Sequence, residues 1–252
     1  ADELLTSIPK PLFWHAPTSN ERGWGAPFED GQWLLASRYA RADEPADVAF
    51  RSDESTATVT FRYTLPTVPP SECVVDYRVD GGGRIAVTQT MHLLDGLPAL
   101  PEFGMLVATR PEFQNLRWYG EGPEECYVDR RSGARLDVYE GDVREQLTPY
   151  LRPQEAGSRT GVRWAEVTDD RGRGIRLACA DGMEFSALPW TPFEVENALH
   201  RTELPPIHRT ILRPALMRRG VGGDDSWGAR TLAQYHLPTD GVLRFEFSLQ
   251  GI

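Results

Sequence analysis

The stretch CVVDYRVDGGGRIAVTQTMHLL, residues 73–94, decides how the chain folds. Cys73, Val75, Tyr77 and Val79 alternate with Val74, Asp76 and Arg78, and beyond Asp80 and three glycines Ile85, Val87, Gln89 and Met91 alternate again. A period of two places one set of side chains on one face of a strand, and a short glycine-rich gap between two such runs is a hairpin. On the N-terminal side of this hairpin, TATVTFRYTL (56–65) sets Ala57, Val59, Phe61, Tyr63 and Leu65 against threonines and Arg62, which predicts a strand with one buried face. VRWAEVTDDRGRGIRLACA (162–180) predicts a second hairpin, and VLRFEFSLQ (242–250) a strand near the end of the chain. Twenty prolines and 23 glycines punctuate these short runs. The fold class expected is therefore all-β, an antiparallel sandwich of two large sheets. One short helix is expected in TPFEVENALH (191–200), where Thr191 caps, Pro192 suits the first helical position and Glu194 completes a capping box.

A chain of 252 residues with 40% hydrophobic content can bury a sizeable core, and sandwiches of this length are often undivided, so residues 1–252 read as one domain. Lys and Arg number 27 against 37 Asp and Glu, a formal net charge of -10, which argues against nucleic acid or an anionic membrane as partner. Cys73, Cys126 and Cys179 are widely spaced and odd in number, and the five histidines show no HxxxH or HExxH spacing; no metal site is expected. No run of 18 apolar residues occurs, and the opening residues lack the regions of a signal peptide, so a cytoplasmic protein is expected. The absence of an initial methionine suggests a piece of a longer chain.

Four segments combine aromatics, paired charges and turn residues beyond what strand packing requires. They are PLFWHAPTSNERGWG (11–25), WYGEGPEECYVDRR (118–131), PYLRPQEAGSRTGVRW (149–164) and GVGGDDSWG (220–228). In the second and third, Glu125, Asp129, Arg130, Glu155 and Arg159 read as ion-paired residues that anchor long loops, with a catalytic acid as the alternative. No GxSxG elbow or P-loop is present, so nucleophilic-serine and phosphate chemistry lack support. Trp227 differs in kind. An indole on a glycine-rich acidic loop either folds back over the sandwich edge or offers a flat apolar face to a ligand such as a sugar, whose hydroxyls would meet carboxylates such as Asp224 and Asp225.

Taken in order, the four segments resemble the C-terminal domain of bacterial β-galactosidases of glycoside hydrolase family 2. FWHAPTSNERG resembles the family's Trp-Arg-Ala-Pro-Thr-Asp-Asn-Asp-x-Gly, WYGEGPEECYVDR its Trp-Tyr-Gly-x-Gly-Pro-x-Glu-x-Tyr-x-Asp-Arg, PYLRPQEAGSRTGVRW its Pro-Tyr-x-x-Pro-Gln-Glu-Asn-Gly-x-Arg, and GVGGDDSWG its Gly-Gly-Asp-Asp-Ser-Trp. His15, Ser19, Glu21 and Ala156 depart from the pattern. The resemblance implies a supersandwich like that of galactose mutarotases and a retaining mechanism whose two catalytic glutamates lie on a (β/α)₈ barrel, so that this chain carries no catalytic residue. It implies that Trp227 stacks on sugar at the barrel mouth, that a loop containing Asn20, Gly23, Trp24 and Gly25 is mobile, and that Gly23 and Gly25 act as hinges through positive φ. It also implies the remaining domains of the enzyme and a galactoside as partners, a homo-oligomeric parent, and Mg and Na held in other domains with no cofactor in this one. Two alternatives stand beside it: a natural small subunit of a two-chain enzyme, and a free-standing mutarotase-like sugar-binding protein with His200 and Glu155 as candidate acid and base.

Overall fold

The computed structural model of the chain describes residues 3–44, 46–51, 55–225 and 227–252. Among these are thirteen strands: β1 (Lys10–Leu12), β2 (Arg41–Ala42), β3 (Asp47–Arg51), β4 (Thr56–Leu65), β5 (Ser71–Val79), β6 (Ile85–His92), β7 (Glu102–Thr109), β8 (Asn115–Gly122), β9 (Arg135–Asp142), β10 (Arg159–Thr168), β11 (Gly174–Leu188), β12 (Thr210–Arg218) and β13 (Val242–Gly251). The hairpin of residues 73–94 forms with Val79 opposite Ile85 and Cys73 opposite Met91. Its turn is closed by Asp80, whose Oδ1 accepts the amides of Gly82 at 2.9 Å and Arg84 at 3.0 Å, with Gly83 at φ +78°. The β10–β11 hairpin repeats the device: Asp169 Oδ1 accepts the amides of Arg171 and Arg173, and Gly172 takes φ +77°. An Asp that holds its own turn and a glycine in the left-handed region make both loops short, which fixes register.

All strand pairs are antiparallel, in the order β1-β7-β12-β11-β13-β6-β5-β4-β2, with β10, β8 and β9 branching from β11 and β3 from β4. The two expected sheets are thus one continuous sheet folded on itself. The seam is β11. Its first half, Ile175–Ala178, pairs with β13, and its second, Glu184–Leu188, with β12. Gly182 at φ +88° and bulges in β10 around Val162 let the backbone turn between the two halves. Phe103, Met105 and Val107 of β7, Leu212 of β12 and Phe185 of β11 share one core cluster with Val75, Val87, Met91, Phe245 and Leu249. Each such residue contributes roughly 1.5–3 kcal/mol by leaving water.

Four α-helices lie among the described residues: α1 (Ser19–Trp24), α2 (Ala26–Glu29), α3 (Gly31–Tyr39) and α4 (Pro192–Asn197). Only α4 was expected, and its capping box forms as read, with Glu194 N donating to Thr191 Oγ1 and Thr191 N to Glu194 Oε2. α3 packs Trp33 into the core, its indole N–H donating to Pro98 O at 2.9 Å, and Ser37 Oγ accepts Phe13 N from the segment after β1. These contacts hold the α1–α3 segment against one edge of the sandwich, where the remaining motifs also gather.

Candidate functional site

Strand β12 ends at Arg218, and the chain then runs through the loop that carries Trp227. Its indole is 87% exposed. The loop is shaped from within by Asp225, whose Oδ1 accepts the amides of Trp227 at 2.8 Å, Gly228 at 3.2 Å and Ala229 at 3.1 Å; these N–H donors hold the carboxyl below its usual range. Asp224 lies exposed beside it. The loop base is pinned from outside. Asp129 Oδ2 accepts Gly222 N at 2.7 Å, and Thr231 Oγ1 lies 2.8 Å from Gly220 O and 3.1 Å from Gly222 O. A Cβ at Gly220 would stand 2.6 Å from the Asp129 carboxylate, so a side chain there would displace the group that holds Gly222.

Asn20, Gly23 and Trp24, expected on a loop, lie in helix α1, and Gly25 follows it. Thr18 and Glu21 form a capping box for α1, and Gly25 is its left-handed cap at φ +89°. The positive φ expected of both glycines occurs at Gly25 alone. Gly23 is close-packed instead: a Cβ there would lie 3.3 Å from Trp227 C and O and Gly228 N, so the backbone of the tryptophan loop would have to give by a few tenths of an ångström. Asn20 Nδ2 donates to Ala229 O at 3.2 Å. The Trp24 ring lies between two guanidinium groups, Arg219 at 5.1 Å and Arg230 at 4.7 Å, and Arg230 also binds Glu29 of α2 through two bonds of 2.7 and 2.5 Å.

Beneath α1, Arg219 donates to Glu21 at 2.8 Å and to Asp30 at 2.7 Å, and His15 Nε2 sits 2.9 Å from both Glu21 oxygens, all of them buried. Burial alone would lower the His15 pKa, but the charge of Glu21 and the bond to it outweigh this, and the imidazole is held above its usual range. Burial would likewise raise Glu21, and the charges of His15 and Arg219 instead hold it far down. His15 thus meets Glu21 through Nε2, while its Nδ1 is buried without a partner among the described residues.

Glu125 is a hub. Its Oε2 accepts Thr148 Oγ1 at 2.8 Å and Gly157 N at 2.7 Å, and its Oε1 accepts Tyr150 OH at 2.7 Å and the Arg130 guanidinium. Arg159 donates to Gln146 Oε1 at 2.9 Å and to Ser158 O, and lies over Trp118 at 5.0 Å, with no carboxylate among these partners. Glu155 belongs to a cluster the sequence reading did not assemble. Arg213 bridges Glu155 at 2.8 Å and Glu102, Arg218 donates to Glu102 at 3.0 Å, and Glu184 lies 3.7 Å from Arg218; all five side chains are sealed from water. The signal available was Arg213 and Arg218 within TILRPALMR, a strand otherwise apolar at most positions. His200 pairs with Glu203 at 2.9 Å on the surface while Glu155 is buried against Arg213, so the mutarotase-like acid and base are not brought together. Among the described residues no three His, Cys, Asp or Glu side chains gather as a metal-holding group, and no helix is long and apolar enough to cross a membrane.

Comparison with known proteins places this arrangement. β-Galactosidase from Priestia megaterium is 38% identical over 250 residues, covering 99% of this chain and 24% of that protein. The β-galactosidase small subunit of Latilactobacillus sakei is 33% identical, covering 98% of this chain and 86% of the subunit. Among solved structures, a galactose mutarotase-like protein from Lactobacillus casei aligns with 82% of this chain and 73% of its own at a TM-score of 0.37 and 11% identity. The chain therefore spans about a quarter of the single-chain enzyme and most of the separate subunit. The sequence profile described as beta galactosidase small chain matches residues 1–249, and the chain belongs to that family.

Proposed function

We propose that the chain is the non-catalytic terminal part of a β-galactosidase that hydrolyses terminal β-D-galactosides such as lactose, and that it supplies Trp227 to the sugar site. The observation that carries the reading is an indole 87% exposed on a loop whose backbone is bonded at nearly every turn. A large apolar ring held out in water on a fixed backbone suits stacking against the C–H face of a sugar. Asp224 is placed to take hydroxyls, whereas Asp225 acts on the site by shaping the loop. The two catalytic carboxylates, whose separation sets a retaining mechanism, lie in the part of the enzyme outside this chain. Its partners are that larger part and the galactoside; the assembly is cytoplasmic and homo-oligomeric, and any Mg or Na it uses is held outside this chain. The high coverage of the L. sakei small subunit favours a second form of the same reading, in which the larger part is a separate polypeptide.

The test mixes the chain with the remaining part of a matching β-galactosidase and assays a chromogenic galactoside beside each part alone. Activity only in the mixture is the expected result. Trp227→Ala in that mixture should weaken binding about tenfold, from roughly 0.5–1.5 kcal/mol of stacking plus some apolar burial. Turnover by the isolated chain, or an unchanged KM in the variant, would overturn the respective half of the reading.

A further inference from the structure

The Trp227 side chain touches almost nothing, so its direction is set wholly by the backbone that bears it. Asp225 gives the loop its shape, but those bonds are internal and leave the loop free to tilt as a unit. Asp129 and Thr231 hold only the base, at Gly220 and Gly222. At the tryptophan itself the outside contacts come from residues 20–29. The Gly23 backbone lies against Trp227 and Gly228, the Asn20 amide donates to Ala229 O and sits where a Gly223 Cβ would stand 2.9 Å away, and Glu29 and Trp24 engage Arg230.

From these contacts we infer that Asn20 and Gly23 are positioning residues for the Trp227 indole, with α1 as the bracket against which the platform is set; the inference rests on the sugar-platform reading of Trp227. The bracket is rigid because its own attachment is buried. Arg219, the first residue after β12, bonds Glu21 of α1, so strand, helix and loop form one closed path: β12, Arg219, Glu21, α1, then Asn20 and Gly23 to the loop. The buried Asn20 Oδ1 has no partner, which assigns the amide a single task, donation through Nδ2. A carboxylate in its place would repel the Ala229 carbonyl, and a methyl on Gly23 would push directly on the peptide joining Trp227 to Gly228.

The experiment compares Asn20→Asp, Asn20→Ala and Gly23→Ala, alone and combined with Trp227→Ala, in the enzyme assembled with its larger part. Asn20→Asp and Gly23→Ala should raise KM by about threefold to tenfold with kcat within about twofold, Asn20→Ala should do so more weakly, and none should add to the effect of Trp227→Ala. Additive effects would mean a role elsewhere and overturn the inference. A second readout does not depend on the sugar reading: the emission of Trp227 in the full chain, taken as the difference between the wild type and Trp227→Phe. Its anisotropy should fall and its quenching by acrylamide should change in all three variants, while the thermal midpoint stays near that of the wild type. If Trp227→Ala raises KM and the three variants move neither readout, positioning fails and the platform stands. If Trp227→Ala leaves KM unchanged, the platform reading fails, and the anisotropy alone decides whether α1 sets the loop.

Discussion

Arg213 and Arg230 both bind glutamate, yet one pair lies at 2% exposure or less and the other has about half of each side chain in water. The cluster around Arg213 and Arg218 lies on the positions of β7, β11 and β12 that alternate with the core residues Phe103, Phe185 and Leu212, covered by the loop that bears Glu155, whereas Arg230 and Glu29 clasp the α2 segment to the loop of Trp227. Desolvating an ion is costly, so a buried cluster persists only where its partners are all present, and removing one leaves an uncompensated charge. An exposed pair gains little and loses little. The difference assigns the molecule's charges two tasks: where buried they tie β7, β11 and β12 to the covering loop at Glu155, and at the exposed edge they guide loops while leaving surface chemistry for a partner.

Removing Arg213 should break this contrast most severely. Arg213→Ala takes from Glu155 its close partner and leaves Glu102 with Arg218 alone, and the expected cost is about 3–5 kcal/mol, a large share of the stability of any domain. Urea unfolding of the variant beside the wild type measures it. Adding Glu155→Gln to the same chain should recover part of the loss, because the charge left without its close partner is then gone. A midpoint within error of the wild type would mean that the cluster is not the structural element its burial implies.

Glu184 makes the buried cluster sensitive to pH. Three carboxylates, Glu102, Glu155 and Glu184, face two guanidinium groups, Arg213 and Arg218, so one acid lacks a full counter-charge. Glu184 is that acid: its Oε2 makes no hydrogen bond, and burial pushes its pKa up to about 7 despite Arg218. Glu102, between both arginines, goes the other way, since their charges outweigh its burial. For an acid raised in the folded state, the unfolded chain releases its proton first. Stability is therefore full below about 4.5, declines as pH rises to about 7, and is level beyond. The contribution across that window is roughly 3 kcal/mol. Glu184→Gln keeps the shape without the charge, so its denaturation midpoint should lack this decline and exceed that of the wild type at pH 8. A parallel pH dependence in both proteins would place the titrating group elsewhere.

What the sequence disclosed follows the same division. Period-two alternation named β4, β5 and β6 because each has one face on the core, and Asp with glycine marked their turns. Thr191-Pro192-x-Glu194 announced α4 through local bonds alone. The equivalent Thr18-x-x-Glu21 box was equally local, but Gly23 and Gly25 beside it read as loop, and what settles α1 is tertiary: Arg219 bound to Glu21 and the Trp227 backbone on Gly23. The folding of one sheet through β11 was illegible for a related reason, since each half of that strand alternates normally and only its choice of neighbours changes. Buried arginines were hidden because a charge in a sequence reads as solvated until its partner is known, and Glu102 lies far along the chain from Arg213. Trp227 stood out for the opposite cause: among the described residues it keeps 87% of its surface exposed.

That exposure makes the smallest stability effect the most informative one. A buried tryptophan removed to alanine costs about 3–5 kcal/mol, whereas a surface position outside caps, packing and strain lies within about 0.5 kcal/mol. Trp227 has 87% of its surface in water, and the bonds that shape its loop use its backbone amide, which alanine retains. Trp227→Ala should therefore leave the urea midpoint of the chain within that smaller bound, on the same titration in which Arg213→Ala collapses. A loss of several kcal/mol would show that the ring packs against the sandwich in solution, and the tenfold weakening of galactoside binding expected from the same substitution would then reflect a damaged fold in place of a lost platform.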